Sequence, residues 1–276
     1  MKACIVLQKQ YAKVGHAIAR ILKEHHDVDR FSAYIFSPSV LDAVRSQTDI
    51  LYDPILADHE LHAEYKQEPI DWEWLDEFEH TYRPPNLWQY LYADRKLMMS
   101  MGPKEETTTA IDPLYDHEDL IRIFQVRARA IEEMLKKDRP DFILFFTIGA
   151  LGHMILYHVA KKLGIRVYTI DFPRIQNRLS ISSDYRTLSV TQDAFRVLRQ
   201  TTEQTSWHAE ATALLHGFRE HGSLDLAYMD IVVGILPKKM NSIHPASIMR
   251  TIRYLGDLSK NPRTVCGCIT ENRSGV

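Results

Sequence analysis

Two arginines, an asparagine and a serine follow an apolar segment in the second half of the chain, and together they could bind an anion. In the stretch TIDFPRIQNRLSISSDY, residues 169–185, Arg174 and Arg178 are four residues apart, and Asn177 and Ser180 add neutral hydrogen-bonding groups. A guanidinium is a rigid fork of donors that suits a carboxylate or a phosphate. The stretch therefore indicates a site for an acidic sugar or a phosphate. The alternative is a surface loop whose arginines form ion pairs.

A second candidate site follows the first apolar segment of the chain. In QKQYAKVGHA, residues 8–17, Gly15 would let the backbone approach a ligand closely, and His16 would lie near the start of a helix, where anions are favoured. The loop lacks the G-x-G-x-x-G pattern of dinucleotide-binding proteins. It therefore indicates either a ligand-binding loop or a simple connection between a strand and a helix.

A third candidate is the glycine-containing turn after the most apolar segment, residues 140–147. Gly149 and Gly152 lie where a strand is expected to give way to a helix, as in a phosphate-binding loop, but the lysine of the Walker pattern is missing. The pattern favours a packing role for Gly152, which would let the helix approach the sheet.

Motifs for metal binding and nucleophilic catalysis are sparse. His59 and His62 in DHELH are three residues apart but have no obvious third ligand, and Cys266 and Cys268 lack the partners of a zinc site. The chain contains no G-x-S-x-G, H-E-x-x-H or C-x-x-C motif. We therefore expect no metal and no cofactor in this chain.

The elements that must position these residues alternate between strands and helices. Such alternation is typical of βαβ units and predicts an α/β fold with a Rossmann-like parallel sheet and flanking helices. The predicted strands cover residues 2–8, 30–37, 49–56, 140–147 and 165–171, and the predicted helices cover residues 15–25, 37–47, 117–137, 149–164, 192–221 and 245–260.

Residues 58–115 interrupt this alternation and are predicted to form a helical insertion. The spacing of Trp72, Leu75 and Phe78 predicts one helix with an acidic, solvated face, and a second aromatic helix follows the prolines at 84–85. We expect the tryptophans of this insertion to pack against other side chains rather than to bind a sugar.

Composition limits the classes of protein that this chain can belong to. Its 276 residues are 45% hydrophobic, which is enough for a substantial core, and 34 basic against 36 acidic residues create no overall attraction to nucleic acid. No stretch approaches the 18 apolar residues of a membrane span, and three cysteines are too few for a disulfide framework. We expect a soluble, cytoplasmic protein.

Several segments together resemble the N-terminal half of bacterial capsule and surface polysaccharide biosynthesis proteins. The segments are PNLWQYLYADRKLM (85–98), RPDFILFF (139–146), AKKLGIRVYTIDFPRIQNRLSISSD (160–184) and HPASIMRTIRYLGDLSKNPR (244–263). Those proteins are similar to GT-B glycosyltransferases, in which two Rossmann-like domains face each other across a cleft. The N-terminal domain of such an enzyme mainly holds the acceptor, and the C-terminal domain mainly holds the nucleotide-sugar donor.

The resemblance implies an acceptor-side domain with a cleft at the strand ends. The resemblance implies that Arg174 and Arg178 hold an acidic acceptor sugar or a donor phosphate. A catalytic His16 would act as general base, the role for which histidine is most often used near neutral pH. The residues implied to face the cleft are Gly15, His16, Arg174, Asn177, Arg178 and Ser180.

The resemblance also implies a second βαβ half after about residue 260, and the 276-residue sequence contains none. We therefore expect one domain over residues 1–244, with the helical insertion, and an interdomain helix with a short tail over residues 245–276. A nucleotide-sugar donor is expected only with the missing C-terminal domain, and we expect no glycosyl transfer by this chain alone.

Two other functions fit the same sequence. The first is a non-catalytic Rossmann-like module that binds a glycan or a protein, since a fold does not determine a function. The second is half of a sugar-nucleotide epimerase-like protein, which would share the architecture.

Overall fold

The computed structural model describes most of the first two hundred residues and one further helix. The described residues are 1–8, 11–61, 63, 65–82, 86–94, 97, 115–171, 179–187, 189–200 and 206–221. Arg174, Asn177, Arg178, His62, the two C-terminal cysteines and the predicted helix at 245–260 lie outside them.

A six-stranded sheet in the order β3-β2-β1-β4-β5-β6 forms the centre of the fold. Strands β1 to β5 are parallel to their neighbours, with β1 lying between β2 and β4. This result confirms the predicted Rossmann-like arrangement at the level of a mixed α/β fold with a mostly parallel sheet. The strands are β1 (Lys2–Leu7), β2 (Arg30–Ile35), β3 (Tyr52–Ala57), β4 (Phe142–Phe145), β5 (Arg166–Asp171) and β6 (Ser180–Ser182).

Nine α-helices lie within the described residues. Their apolar residues recur at helical spacing, which is why α6, for example, buries Leu120, Ile123, Phe124 and Ile131 along one face. The helices are α1 (Tyr11–His25), α2 (Pro38–Ser46), α3 (Asp58–Leu61), α4 (Trp72–Tyr82), α5 (Leu87–Ala93), α6 (His117–Asp138), α7 (Leu151–Lys162), α8 (Ser189–Gln200) and α9 (Ser206–His221).

Helices α1 and α7 pack on opposite faces of the sheet. Gly15 of α1 lies against the side chains of Ile5 and Leu7, whereas Gly152 of α7 lies against Tyr34. Tyr34 is in register with Val6, which lies between Ile5 and Leu7 and so points to the other face. The first connection therefore leaves β1 over one face, and the connection after β4 leaves over the other.

Some element boundaries differ from the prediction. Helix α1 begins four residues before Gly15, so Gly15 and His16 lie in its second turn rather than at its start. Where a single helix is predicted over 192–221, the described residues form α8 and α9. The described residues of the predicted insertion form α3, α4 and α5, with a short 3-10 turn at Tyr65–Gln67.

The chain divides into two compact units, Met1–Thr169 and Ile170–Val276. The first unit contains β1 to β4, α1 to α7 and most of β5, and the second contains β6, α8 and α9. The division predicted near residue 244 lies outside the described residues. Among the described helices, none is long and apolar enough to cross a membrane.

Candidate functional site

The structure places two neutral polar side chains at the topological switch point, between β1 and β4, where the strand order reverses. Gln8 follows β1 and Thr147 follows β4, and the Thr147 hydroxyl donates a hydrogen bond to Gln8 Oε1 at 2.9 Å. Both side chains are half-buried. In open parallel sheets, ligands bind outside the carboxyl ends of the strands where the connecting helices leave on opposite faces. We call this place, between the ends of β1 and β4, the switch-point crevice.

Gly149 lies between Thr147 and the start of α7 and has open space at its Cβ position. It is exposed, and a Cβ atom built on it meets no heavy atom within 4 Å. Its backbone does not adopt the left-handed conformation that side chains avoid. On the side of α1, the ring of Tyr11 stacks on Phe146, with centroids 5.7 Å apart. A residue larger than glycine at position 149, two residues after Thr147, would therefore meet no steric conflict at its Cβ atom.

The first backbone amide of α7 already donates a hydrogen bond to a carboxylate of the protein. Asp94, which follows α5, is buried, and its Oδ2 accepts a hydrogen bond from the Leu151 amide at 3.0 Å. The amides at a helix N-terminus favour an anion, and Asp94 supplies one internally. A phosphate at this amide would have to displace Asp94. The start of α7 therefore disfavours an anionic ligand, in contrast to the phosphate-binding loop considered from the sequence.

A buried polar cluster lies beneath α7 on the same face of the sheet. The Tyr34 hydroxyl donates to Asp58 Oδ1, and Arg127 Nη2 donates to Asp58 Oδ2 at 2.9 Å. Burial and the adjacent Asp58 carboxylate raise the pKa of Tyr34 well above its usual range. The Asp58 charge is buried but paired, which is the arrangement that keeps the cost of burial low.

Gly152 is required by this cluster rather than by a ligand. A Cβ atom at position 152 would overlap the Tyr34 hydroxyl and lie 2.7 Å from Asp58 Oδ1. The packing role that the sequence favours for Gly152 is therefore confirmed.

His153 is the fourth member of the buried polar cluster and lies against Tyr34. It is fully buried, and its ring lies against the rings of Tyr34, Phe36 and Phe145. Neither ring nitrogen has a hydrogen-bond partner among the described residues. The pKa of His153 is lowered from 6.5 to about 4, mainly by burial; the Asp94 charge opposes this shift and the Arg127 charge adds to it. The imidazole is therefore neutral at pH 7.

His16 is held by two partners near the beginning of β3. Its Nδ1 lies 3.0 Å from the Tyr52 hydroxyl, and its Nε2 lies 3.2 Å from both carboxylate oxygens of Asp49. Arg20 Nε also lies 3.2 Å from Asp49. Tyr52 is the first residue of β3, at the end of that strand opposite the carboxyl edge. A general base needs a free nitrogen, so His16 would have to break one of these hydrogen bonds to accept a proton from a substrate.

Gly15 lies on the buried face of α1, against β1. A Cβ atom at this position would lie 2.9 Å from Leu7 Cδ2 and 3.2 Å from Ile5 Cγ2. The residue therefore lets α1 approach the sheet closely. Ser180, the first residue of β6, is half-buried in the second unit, and its hydroxyl has no hydrogen-bond partner within the described part of the chain. The binding roles of both residues, and of the three undescribed residues of the 169–185 stretch, stay predictions.

Sequence reasoning missed the residues that line or support the crevice. Gln8 and Thr147 each follow a buried strand, and this position was the available signal. The bond of Asp94 to the start of α7 had no signal in the sequence. Within the described ranges, no group of three or more histidine, cysteine or acidic side chains could hold a metal ion.

The chain matches no protein-family model, no curated protein and no solved structure. Function must therefore be argued from the crevice itself.

Proposed function

We propose that this chain is the acceptor-side domain of a GT-B-like glycosyltransferase of surface polysaccharide synthesis, and that the acceptor sugar binds in the switch-point crevice. The observation that supports this most directly is the Thr147–Gln8 pair beside the open space at Gly149. A hydroxyl and a carboxamide offer donors and acceptors without charge, which is what a sugar hydroxyl requires.

The electrostatics of the crevice support an acceptor rather than a donor. A nucleotide-sugar donor carries a diphosphate, and the first amide of α7 is already bound to Asp94. In the proposed reaction, a hydroxyl of the acceptor attacks the anomeric carbon of the sugar, the bond to the nucleoside diphosphate breaks, and the hydroxyl proton passes to a general base. The donor and its diphosphate would be held by a second domain.

A non-catalytic glycan-binding module is the second candidate, and the hydrogen bonds of His16 favour it. Both ring nitrogens of the predicted general base are engaged with Tyr52 and Asp49. A domain that only binds sugar needs no such base. The two candidates share the crevice and differ in whether a general base acts there. His16 is bonded to Tyr52 at the opposite end of the strands, so the base of a transferase would have to be another group.

A binding experiment tests the feature that both candidates share. Ligand-observed saturation-transfer NMR would measure binding of methyl β-D-glucopyranoside, glucuronate and inorganic phosphate to the full chain. We expect sugar binding that Gly149→Leu abolishes and Thr147→Val weakens about two- to tenfold, because one hydrogen bond is lost. Gly217→Leu is the matched control, since Gly217 on α9 also has open space at its Cβ position.

Two results would contradict the proposal. One is sugar binding that is unchanged in Gly149→Leu, which would place the sugar elsewhere. The other is phosphate binding at the crevice with no sugar binding, which would show that Asp94 does not exclude anions.

A further inference from the structure

The last residue of β5, Asp171, places a carboxylate at the edge of the sheet that holds the switch-point crevice. Strand β5 is parallel to β4, and Thr169 is in register with Phe145. Asp171 and Thr147 each follow that pair by two residues. Because neighbouring strands lie about 4.8 Å apart, Asp171 ends β5 next to the place where Thr147 follows β4.

Asp171 lies on the face of the sheet that α7 covers. Its side chain points the same way as that of Thr169, because side chains two residues apart on a strand share a face. Thr169 is in register with Phe145, and the Phe145 ring lies 6.4 Å from the ring of His153 on α7. The carboxylate therefore lies on the side where Gly149 leads from β4 into α7.

The Asp171 carboxylate has neither a hydrogen bond nor an ion pair within the described part of the chain, although the residue is half-buried. Burial raises the pKa of this carboxyl above its usual value. Carboxylates that enter a fold are ordinarily paired or hydrogen-bonded, as Asp58 is with Arg127. The ionised Asp171 therefore lowers the stability of the fold at neutral pH, and the described contacts give no structural reason for it.

The chemistry of a carboxylate defines the ligand group that Asp171 would accept. An ionised carboxylate only accepts hydrogen bonds, so it selects a group that donates them. A sugar hydroxyl donates one hydrogen bond, whereas an ammonium group donates up to three, and bonds between charged partners are roughly twice as strong. A carboxylate on the sugar would be repelled. Asp94, which is bonded to the first amide of α7, also opposes an anion there.

We infer that Asp171 determines the specificity of the crevice: it accepts a hydrogen bond from the acceptor sugar and selects amino sugars, and after them neutral sugars, over uronic acids. This inference rests on the proposed function, because it names the substrate class of the same acceptor site. The class differs from the acidic acceptor that the sequence indicated for Arg174 and Arg178.

Sugars that differ only in charge test this preference on the full chain. The probes are methyl β-D-glucopyranoside, its 2-amino-2-deoxy and 6-amino-6-deoxy derivatives, and the corresponding glucuronide, at about pH 6.5, where amino groups are protonated. Titrations followed by ¹H–¹⁵N NMR give the Kd of each. We expect at least one amino sugar to bind about three- to tenfold more tightly than the neutral glucoside, and the glucuronide to bind at least about tenfold more weakly.

Two variants separate the Asp171 charge from other effects. Asp171→Asn keeps the shape and an acceptor oxygen but removes the charge, so all four probes should bind within about threefold of one another. Its thermal stability should equal or exceed that of the wild type, because a half-buried charge is removed. Asp42→Asn is the matched control and should keep the preference, since Asp42 on α2 is exposed and also lacks an ion pair within the described ranges.

The outcomes distinguish this inference from the proposed function. If Gly149→Leu abolishes binding of the neutral glucoside but Asp171→Asn leaves the preference among the probes unchanged, the inference is wrong and the crevice stands. If Asp171→Asn removes the preference but Gly149→Leu leaves binding unchanged, the role of Asp171 stands and the crevice fails. Tighter binding of the glucuronide than of the glucoside would also overturn the inference. If no probe binds, both are wrong.

Discussion

At the scale of single residues, His153 carries an energetic cost that no described hydrogen bond offsets. Its imidazole is buried against three aromatic rings, with Asp94 and Arg127 as the nearby charges. A buried polar group without a hydrogen-bond partner lowers the stability of the fold. Such a group is kept only where the surrounding packing or a function requires it.

His153 should make the fold sensitive to acid. The pKa of His153 is lowered from 6.5 to about 4 by burial, so below pH 6.5 the unfolded chain binds a proton that the folded chain does not. The stability present above pH 6.5 is therefore lost as the pH falls towards 4, by up to about 3 kcal/mol. Urea unfolding of the wild type and His153→Leu across pH 4–8 measures this loss.

The leucine variant should show a flatter stability profile between pH 6.5 and 4. At pH 8 its free energy of unfolding should equal or exceed that of the wild type, because leucine removes the cost of burying the imidazole and no described hydrogen bond is lost. An equal loss of stability with acid in both proteins would mean that other groups control the transition.

At the scale of elements, the close packing of α7 on the sheet depends on residue 152 being glycine, which has no side chain. Gly152→Ala should destabilise the protein by about 3 kcal/mol, because the new methyl group would overlap the Tyr34 hydroxyl and disturb its bond to Asp58. Gly149→Ala, in open space three residues earlier, should change stability by no more than about 0.5 kcal/mol. Thermal unfolding of both variants measures the difference.

A second substitution tests the cause. Tyr34→Phe removes the hydroxyl that the methyl group would overlap, so the double variant Tyr34→Phe/Gly152→Ala should regain part of the lost stability. If the two losses simply add, the close approach to Tyr34 is not the reason that glycine stands at position 152.

The elements themselves could largely be predicted, whereas the contacts between them could not. Five apolar runs predicted β1 to β5, because strands buried on both faces contain few polar residues. Helix α6 was predicted almost to its ends, yet nothing in its spacing indicated that Arg127 lies in the core. That position becomes tolerable only because Asp58, 69 residues earlier, is folded against it.

The candidate site was predictable only as an edge of the sheet. Parallel strands bring the loops after β1 and β4 together, so their place followed from the strand order. The identity of the contacts did not, because Gln8 and Thr147 are 139 residues apart and neither belongs to a motif. The orientation of His16 towards Tyr52 depends on where β3 begins, and the prediction placed that strand three residues too early.

At the scale of the whole molecule, Cys4 reports on the integrity of the sheet. It lies in β1 with its side chain fully buried, and burial raises the pKa of its thiol to about 12. In a variant with Cys266 and Cys268 replaced by serine, Cys4 is the only thiol. Its reaction with a thiol reagent at pH 8 should be at least about a thousandfold slower than in the unfolded chain, because access requires global unfolding.

The unfolded reference is the same variant in guanidinium chloride, corrected for the effect of the denaturant on the reagent. Labelling that is much faster than global unfolding would show that β1 opens locally. In that case the switch-point crevice, one wall of which follows β1, would not be a rigid binding site.

The pairing of β1 with β4 also has a consequence for synthesis of the chain. Ala3 pairs with Phe31 on one side and with Phe142 on the other, so β1 receives one neighbour early and the second much later. At ribosomal rates, the interval between Ile35 and Phe145 is about 5 to 20 seconds. Throughout it, the nascent chain presents an apolar strand with one unpaired edge, which other nascent chains can join. The yield of this protein in cells should therefore depend on how well that edge is protected during translation, before the crevice exists.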